Sequence, residues 1–233
     1  MEVRVINELT TEQERITTAI SAPAGQPRFS GNRQPASGYS RFVKRPADVL
    51  LAAVLTAGVL SWLTPLLFII YKFTGSGKLF YTQKRMGFNN RVFSCYKFRT
   101  MRPSRDADLQ QCVADDARIT PIGKFLRLTH IDELPQLINI LRGDMSFVGP
   151  RPHMLYHDQL FNRLMPGYYS YRHTALPGLT GLAQASGYHG SVDDYFSIYH
   201  RTRLDLFYVQ RRSFWLDTCI VAKTLANVLK HGK

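Results

Sequence analysis

Asp132 and Glu133 stand side by side in Thr129-His130-Ile131-Asp132-Glu133-Leu134-Pro135-Gln136. Such a pair suits phosphate chemistry. One carboxylate can act as nucleophile or base, while the other serves as its partner or as a Mg²⁺ ligand. An acyl phosphate formed in this way needs metal and arginine nearby to offset its charge. Arg151 follows in Val148-Gly149-Pro150-Arg151-Pro152. A proline on each side fixes the local backbone, and the guanidinium fork matches phosphate oxygens. Lys97 and Arg99, in Lys97-Phe98-Arg99-Thr100-Met101, share one face of an extended segment and suit a diphosphate. Each motif also has a plainer reading. Asp132, Glu133 and Pro135 suit a helix N-terminus. Arg151 fits a surface turn, and Lys97 and Arg99 fit a solvated basic edge strand. The glycines of Pro177-Gly178-Leu179-Thr180-Gly181 allow close backbone approach to a ligand, or belong to an ordinary loop.

These groups need elements to hold them. Val49 to Tyr71 is a run without a charge, interrupted by Pro65. As a helix it measures about 34 Å, enough for a bilayer core of about 30 Å. A buried core helix, a spanning helix and a re-entrant helix all compete for it. Pro65 removes a backbone bond and bends a helix, which favours re-entry. Arg41, Lys44 and Arg45 precede the run, and Lys72, Lys78, Lys84 and Arg85 follow it. Positive charge at both ends fits both ends facing the cytoplasm. Kinked spanning helices also contain proline, so both membrane readings stay open.

Further along, Leu79–Tyr81 and Val92–Tyr96 flank a turn at Gly87–Asn90 and predict a hairpin. Helices are expected over Ile122–Leu128, Glu133–Leu141, residues 153–170 and 191–211, and Phe214–Lys230. The last would carry Trp215, Cys219, Ala222, Leu225 and Leu229 on one face. Residues 1–20 have a weak helical pattern, and residues 21–40 read as a linker, so residues 1–40 are expected to form a flexible tail. Residues 105–115 are polar and predict irregular or helical structure.

The 233 residues carry a formal net charge of +13. Residues 1–40 are neutral, so the excess lies in residues 41–233, the expected folded domain. A basic domain seeks nucleic acid, anionic lipid or phosphorylated substrates, and the apolar run favours the last two. Cys95, Cys112 and Cys219 show no paired spacing, which fits a reducing compartment and argues against structural zinc. His153 and His157 are four apart, but no glutamate of an HExxH motif lies between them. There is no P-loop, no GxSxG, and no GxGxxG opening a βαβ unit.

The ordered motifs are Lys44-Arg45…Asp48, the proline-interrupted apolar run, Lys97-Phe98-Arg99-Thr100-Met101, Asp116-x-Arg118-Ile119-Thr120, Asp132-Glu133-Leu134-Pro135-Gln136, Gly143-Asp144-Met145-Ser146 through Pro152, and Pro177–Gly181. Together they resemble the bacterial sugar transferase family, the monotopic phosphoglycosyl transferases, over about residues 41–230. The resemblance implies an α+β fold with a re-entrant membrane helix at about residues 44–72, broken at Thr64-Pro65. A small sheet or hairpin and interfacial amphipathic helices complete it. It implies a bacterial inner-membrane enzyme with its catalytic domain on the cytoplasmic face. The implied partners are a UDP-sugar, polyprenol (undecaprenyl) phosphate and membrane lipids, with no nucleic acid; the cofactor is Mg²⁺. The reaction is transfer of a hexose 1-phosphate, galactose or glucose, through a phosphosugar on Asp132, at the first membrane step of exopolysaccharide or glycoconjugate synthesis. Glu133 would hold Mg²⁺ or assist proton transfer, and Arg151, Arg99 and Lys97 would hold phosphates. Relatives often have serine where Thr64 and His130 stand. Two other classes compete: a basic membrane adaptor without activity, and a membrane-attached phosphatase using Asp132.

Overall fold

A computed structural model describes residues 38–74, 77–102, 116–165, 171–188 and 195–231. The expectations for residues 1–37 and 105–115 lie outside the described residues. Tyr39 and Ser40, assigned above to the tail, already form part of a helical turn, Tyr39–Lys44.

A 33-residue helix, α1 (Phe42–Thr74), dominates the N-terminal part. Pro46 opens its regular portion, where a missing N–H does no harm. Pro65 lies inside it, and the backbone stays helical on both sides. One turn upstream, Thr56–Leu60 widens into a π-helical turn. There the Ser61 N–H reaches back to the Thr56 carbonyl. Ser61 Oγ then donates to the Ala57 carbonyl at 2.6 Å, and Trp62 Nε1 to Gly58 at 2.9 Å. The irregular turn beside the proline therefore keeps its carbonyls satisfied.

One stripe of α1 packs inward along its length. Asp48 accepts from Ser146 Oγ at 2.6 Å near the start. Ala52 lies against Phe93, Leu137 and Ile140. Leu60, Leu63, Leu67 and Tyr71 pack on Leu79, Phe98 and Leu126. The Tyr71 hydroxyl donates to the Arg99 carbonyl near the other end. The opposite stripe, including Leu50, Val54, Trp62, Phe68, Ile69 and Phe73, is exposed.

The expected hairpin forms from β1 (Phe80–Met86) and β2 (Val92–Phe98), paired antiparallel from Phe80↔Phe98 to Met86↔Val92. Helix α2 (Pro121–Leu128) starts at Thr120, whose Oγ accepts from the Gly123 N–H at 3.0 Å. It ends before His130, which adopts a left-handed φ of 56°. A 3₁₀ turn, Ile131–Glu133, comes next, followed by α3 (Gln136–Arg142). The single helix expected from Glu133 is thus two pieces, because Pro135 has no N–H and begins a new helix. Strand β3 (Ser146–Val148) pairs in parallel with β4 (Gly178–Thr180). Between them lies α4 (Leu155–Leu164), which is shorter than the expected 153–170; residues 166–170 lie outside the described residues. The chain ends with α5 (Leu182–Ala185), α6 (Tyr195–Arg211) and α7 (Phe214–His231).

Helix α7 turns the expected apolar face outward. Trp215, Leu225 and Leu229 point outward and are exposed, as is Cys219. The inward face carries Ile220, with Thr224 bonded to Thr180 at 2.7 Å and Asn227 bonded to the Ala185 carbonyl at 2.9 Å. Phe196 and Phe207 on α6, with Phe125 and Leu128 on α2, add further exposed apolar groups. Water does not favour so much outward apolar surface, whereas a bilayer does.

The glycines of Pro177–Gly181 do allow a close approach, but to protein backbone. A Cβ on Gly178 would sit 2.1 Å from the Gly149 nitrogen, and one on Gly181 2.3 Å from the Gly149 oxygen. Gly178→Ala should therefore push β4 off β3, lowering stability by about 2–3 kcal/mol and Tm by about 5–10 °C. Thermal unfolding followed by intrinsic fluorescence in detergent measures this, and an unchanged Tm would show that the two strands are not closely packed.

Candidate active site

Asp132 and Glu133 occupy the 3₁₀ turn between α2 and α3. Successive side chains in such a turn diverge by about 120°. The two carboxylates accordingly meet different surroundings. Glu133 is held by two cations from remote parts of the chain. Lys97 Nζ on β2 lies 2.5 Å from its Oε1. Arg151 Nη2 donates to Oε1 at 2.7 Å, and Nη1 to Oε2 at 3.3 Å. Burial alone would raise the Glu133 pKa, but Arg151 and Lys97 overcome it and hold the carboxyl well below its ordinary range. In turn, Glu133 raises the Arg151 pKa against the opposing effect of burial.

Asp132 is also buried, at 9% exposure. Among the described residues its carboxylate has no hydrogen-bond or ion-pair partner within contact distance. Burial pushes its pKa above the ordinary value. Lys97 pulls it back, Glu133 pushes it further up, and Arg127 and Arg151 pull it down. The site therefore holds one carboxylate locked by cations and one left open in their field. A helix N-terminus accounts for carboxylates at this point in the chain, but not for the convergence of Lys97 and Arg151 upon it.

The structure thus gathers Asp132, Glu133, Lys97 and Arg151. Arg99 lies elsewhere. Strand β2 ends at Phe98, so the alternation that would align Arg99 with Lys97 stops one residue short. Arg99 turns back to the start of the hairpin, where its Nε donates to the Lys78 carbonyl at 2.9 Å and its Nη2 to Phe80 at 3.4 Å. Its guanidinium also lies 5.9 Å from the Tyr81 ring. Thr64 and Pro65 belong to α1.

Arg127 is the functional candidate that sequence reasoning missed. It projects from the last turn of α2, and its charge acts on Asp132. It has no ion pair among the described residues, and its Nη1 contacts only the soft sulfur of Met101 at 3.9 Å. Its spacing from Asp132 follows no single helical or strand period, and the left-handed His130 interrupts the helix between them. His153 and His157 are not an open ligand pair. His153 meets Phe161 edge-on at 4.9 Å, and burial holds its pKa well below the usual imidazole value. Burial lowers His157 to about 4.

Among the described residues no group of three or more acidic, histidine or cysteine side chains gathers as a metal site. The residues still fit Mg²⁺, which usually takes one or two carboxylates and completes its shell with water and substrate phosphates. Asp132 and Glu133 are the carboxylates that would hold it, and on Glu133 both oxygens also contact Arg151 or Lys97.

The model of the family described as bacterial sugar transferase matches residues 39–231. The chain is 41% identical over 187 residues to a UDP-glucose:undecaprenyl-phosphate glucose-1-phosphate transferase of Caulobacter vibrioides, covering 80% of this chain and 69% of that protein. It is 38% identical over 218 residues to the exopolysaccharide production protein ExoY of Sinorhizobium fredii, covering 87% of this chain and 91% of that one. An Escherichia coli protein, also named UDP-glucose:undecaprenyl-phosphate glucose-1-phosphate transferase, is 38% identical over 82% of this chain; the chain spans only 41% of that protein's length. With nearly every motif of the described site inside the matched range, the chain belongs to the bacterial sugar transferase family.

Proposed function

We propose that this chain transfers a hexose 1-phosphate, glucose or galactose, from a UDP-sugar to undecaprenyl phosphate, at the first membrane step of exopolysaccharide or glycoconjugate synthesis. The observation that carries the reading is the division of labour in the carboxylate pair, within a family whose named relatives act on such substrates. Glu133 is committed to Lys97 and Arg151, which leaves Asp132 as the nucleophile. An Asp132 oxygen attacks the β-phosphorus of the UDP-sugar. The bond from that phosphorus to the bridging oxygen breaks, and UMP leaves with the electron pair. A phosphate oxygen of the polyprenol phosphate then attacks the same phosphorus, releasing Asp132 and forming the polyprenyl diphospho-sugar. One site can thus serve a soluble and a lipidic substrate in turn. The one-third exposed Arg151 would bind phosphate oxygens, and the charge of Arg127, which acts on Asp132, would assist. Lys97 holds Glu133 in place, and Arg99 stays with the Lys78 and Phe80 carbonyls, away from the carboxylate pair. Bound Mg²⁺ would offset charge on the diphosphate.

The same reading makes α1 re-entrant, with the catalytic domain on the cytoplasmic face of the inner membrane. Asp48 and Tyr71 are both tied to the same folded body, yet a straight helix would separate them by about 34 Å. A helix spanning the bilayer would leave one of those ends on the far side. The outward apolar faces of α1, α2, α6 and α7 supply the lipid contact.

Three outcomes follow. In a version otherwise free of cysteine, single cysteines at Ser40 and Gly77 should both resist an impermeant thiol reagent applied to intact cells; labelling of either alone would establish a spanning helix. Supplied with UDP-sugar and no acceptor, the enzyme should release one equivalent of UMP and carry a phosphosugar on Asp132, detectable by peptide mass spectrometry, and Asp132→Asn should abolish both. Release of free phosphate instead would identify a phosphatase. The third concerns pH. The attacking form of Asp132 is the anion, and its folded pKa is raised, so kcat/KM should climb with pH through a midpoint above 3.8. Arg127 lowers that pKa, so Arg127→Ala should move the midpoint upward and cut the rate by about tenfold to a hundredfold. A pH–rate profile with an unmoved acid limb would remove Arg127 from the site.

A further inference from the structure

The prolines at 150 and 152 bring no N–H groups, so the backbone around Arg151 is anchored chiefly through its carbonyls. Four successive carbonyls are all taken. Pro150 accepts from the Gly178 N–H at 3.0 Å, and His153 from the Met86 N–H at 3.3 Å. The two between them accept from guanidinium groups. Arg172 Nη2 donates to the Arg151 carbonyl, and Arg85 Nη1 to the Pro152 carbonyl.

Arg172 is among the most deeply buried side chains of the protein, at 2% exposure. Its Nε donates at 2.9 Å to Asp205 on α6, whose side chain is 3% exposed. Arg85 sits on β1 and gives its other amino group to Gln83 Oε1 at 2.8 Å. A buried ion pair such as Arg172–Asp205 adds little net stability over packed apolar side chains. Bringing two further cations close to Arg151 also opposes folding, since like charges repel in a medium of low dielectric. Stability alone therefore does not explain the arrangement. Fixed geometry does, because a phosphate-binding guanidinium loses much of its effect when displaced by an ångström.

We propose that Arg172, aimed by Asp205, and Arg85 are positioning residues that clamp the Arg151 carbonyl and the one after it, and so fix the Arg151 guanidinium between Glu133 and the substrate phosphates. The role of Arg151 toward phosphate rests on the transfer reading above; the clamp itself rests on geometry. Arg172→Lys is the informative variant. Its ammonium can keep the charge pair with Asp205 but cannot reproduce the fork that reaches both Asp205 and the Arg151 carbonyl.

The test is a double-mutant cycle on kcat/KM for UMP release, using wild type, Arg172→Lys, Arg151→Ala and the double variant, each normalised to folded protein by its thermal transition. Arg172→Lys should lower kcat/KM about tenfold or more in the wild-type background and less than about threefold where Arg151 is already alanine. A loss below threefold in the wild-type background, or equal losses in both, would overturn the proposal. A second readout needs no activity. The Cys95 thiol, 2% exposed on β2, lies within the electrostatic reach of Arg85, Glu133 and Arg151. With Cys112 and Cys219 replaced by serine, Arg172→Lys and Arg85→Lys should each speed its modification by a thiol reagent about fivefold or more under native conditions. If wild type releases no UMP from any UDP-sugar, the transfer reading fails while the clamp is judged by this labelling, and an unchanged rate would overturn it.

Discussion

The Lys97–Glu133–Arg151 triad is the interaction on which the described site depends. It joins β2, the 3₁₀ turn and the loop after β3, three segments with no local reason to meet. Glu133 is only about one-seventh exposed, so its charge depends on the two cations. Loss of either one leaves a largely enclosed carboxylate with a single cation, which weakens the lock. The triad therefore acts as a geometric lock. It also decides what Asp132 can do. With Lys97 and Arg151 satisfied by Glu133, Asp132 stays in their field without being bonded to them. A carboxylate tied into an ion pair is a poor nucleophile; one merely bathed in positive potential keeps its lone pairs exposed.

Glu133 and Asp132 respond to pH in opposite senses. Glu133 has a lowered pKa, so the stability it brings is present above its ordinary value of 4.5 and is lost as pH falls towards the lower folded value. Asp132 has a raised pKa, so ionising it costs stability as pH rises from its ordinary value of 3.8 through the folded one. The fold thus holds one carboxylate stabilised by cations beside one that burial and its neighbour disfavour as an anion. Separation of roles between neighbouring acids, imposed by environment, is how a single residue type performs two tasks.

The long helix links this chemistry to the membrane. Its inner stripe supplies part of the wall beneath the hairpin and α2, through Leu63, Leu67 and Tyr71. Asp48 reaches Ser146 at the start of β3, and Lys44 reaches Asp217 on α7 at 2.7 Å. Asp217 in turn lies 2.8 Å from the Tyr208 hydroxyl, whose single proton is shared between it and the Val148 carbonyl at 3.0 Å. The strand leading to Arg151 is therefore buttressed from both α1 and α7, two of the helices with outward apolar faces.

Much of this was legible in the residues. The hairpin around Gly87–Asn90, the helix after Thr120, and the amphipathic α7 follow from turn chemistry, a capping threonine and periodic spacing, all of which act within a few residues. The adjacent carboxylates and the proline-flanked Arg151 stood out as candidates for the same reason, and the structure brings them together. What lay beyond the sequence was partnership over distance. Local pattern put Lys97 and Arg99 on one strand face, but the end of β2 separates them. It left Arg127 unnoticed, because its spacing from Asp132 follows no regular period and a left-handed residue lies between them. It made the Gly178 turn a possible ligand cradle, whereas β3 fills the space. Periodicity found the apolar face of α7 without saying whether protein or lipid would cover it. The sequence by itself determined the short-range geometry and the kind of chemistry. Only the tertiary structure decided which charges neutralise one another and which stay open, because that depends on distances between segments far apart in the chain.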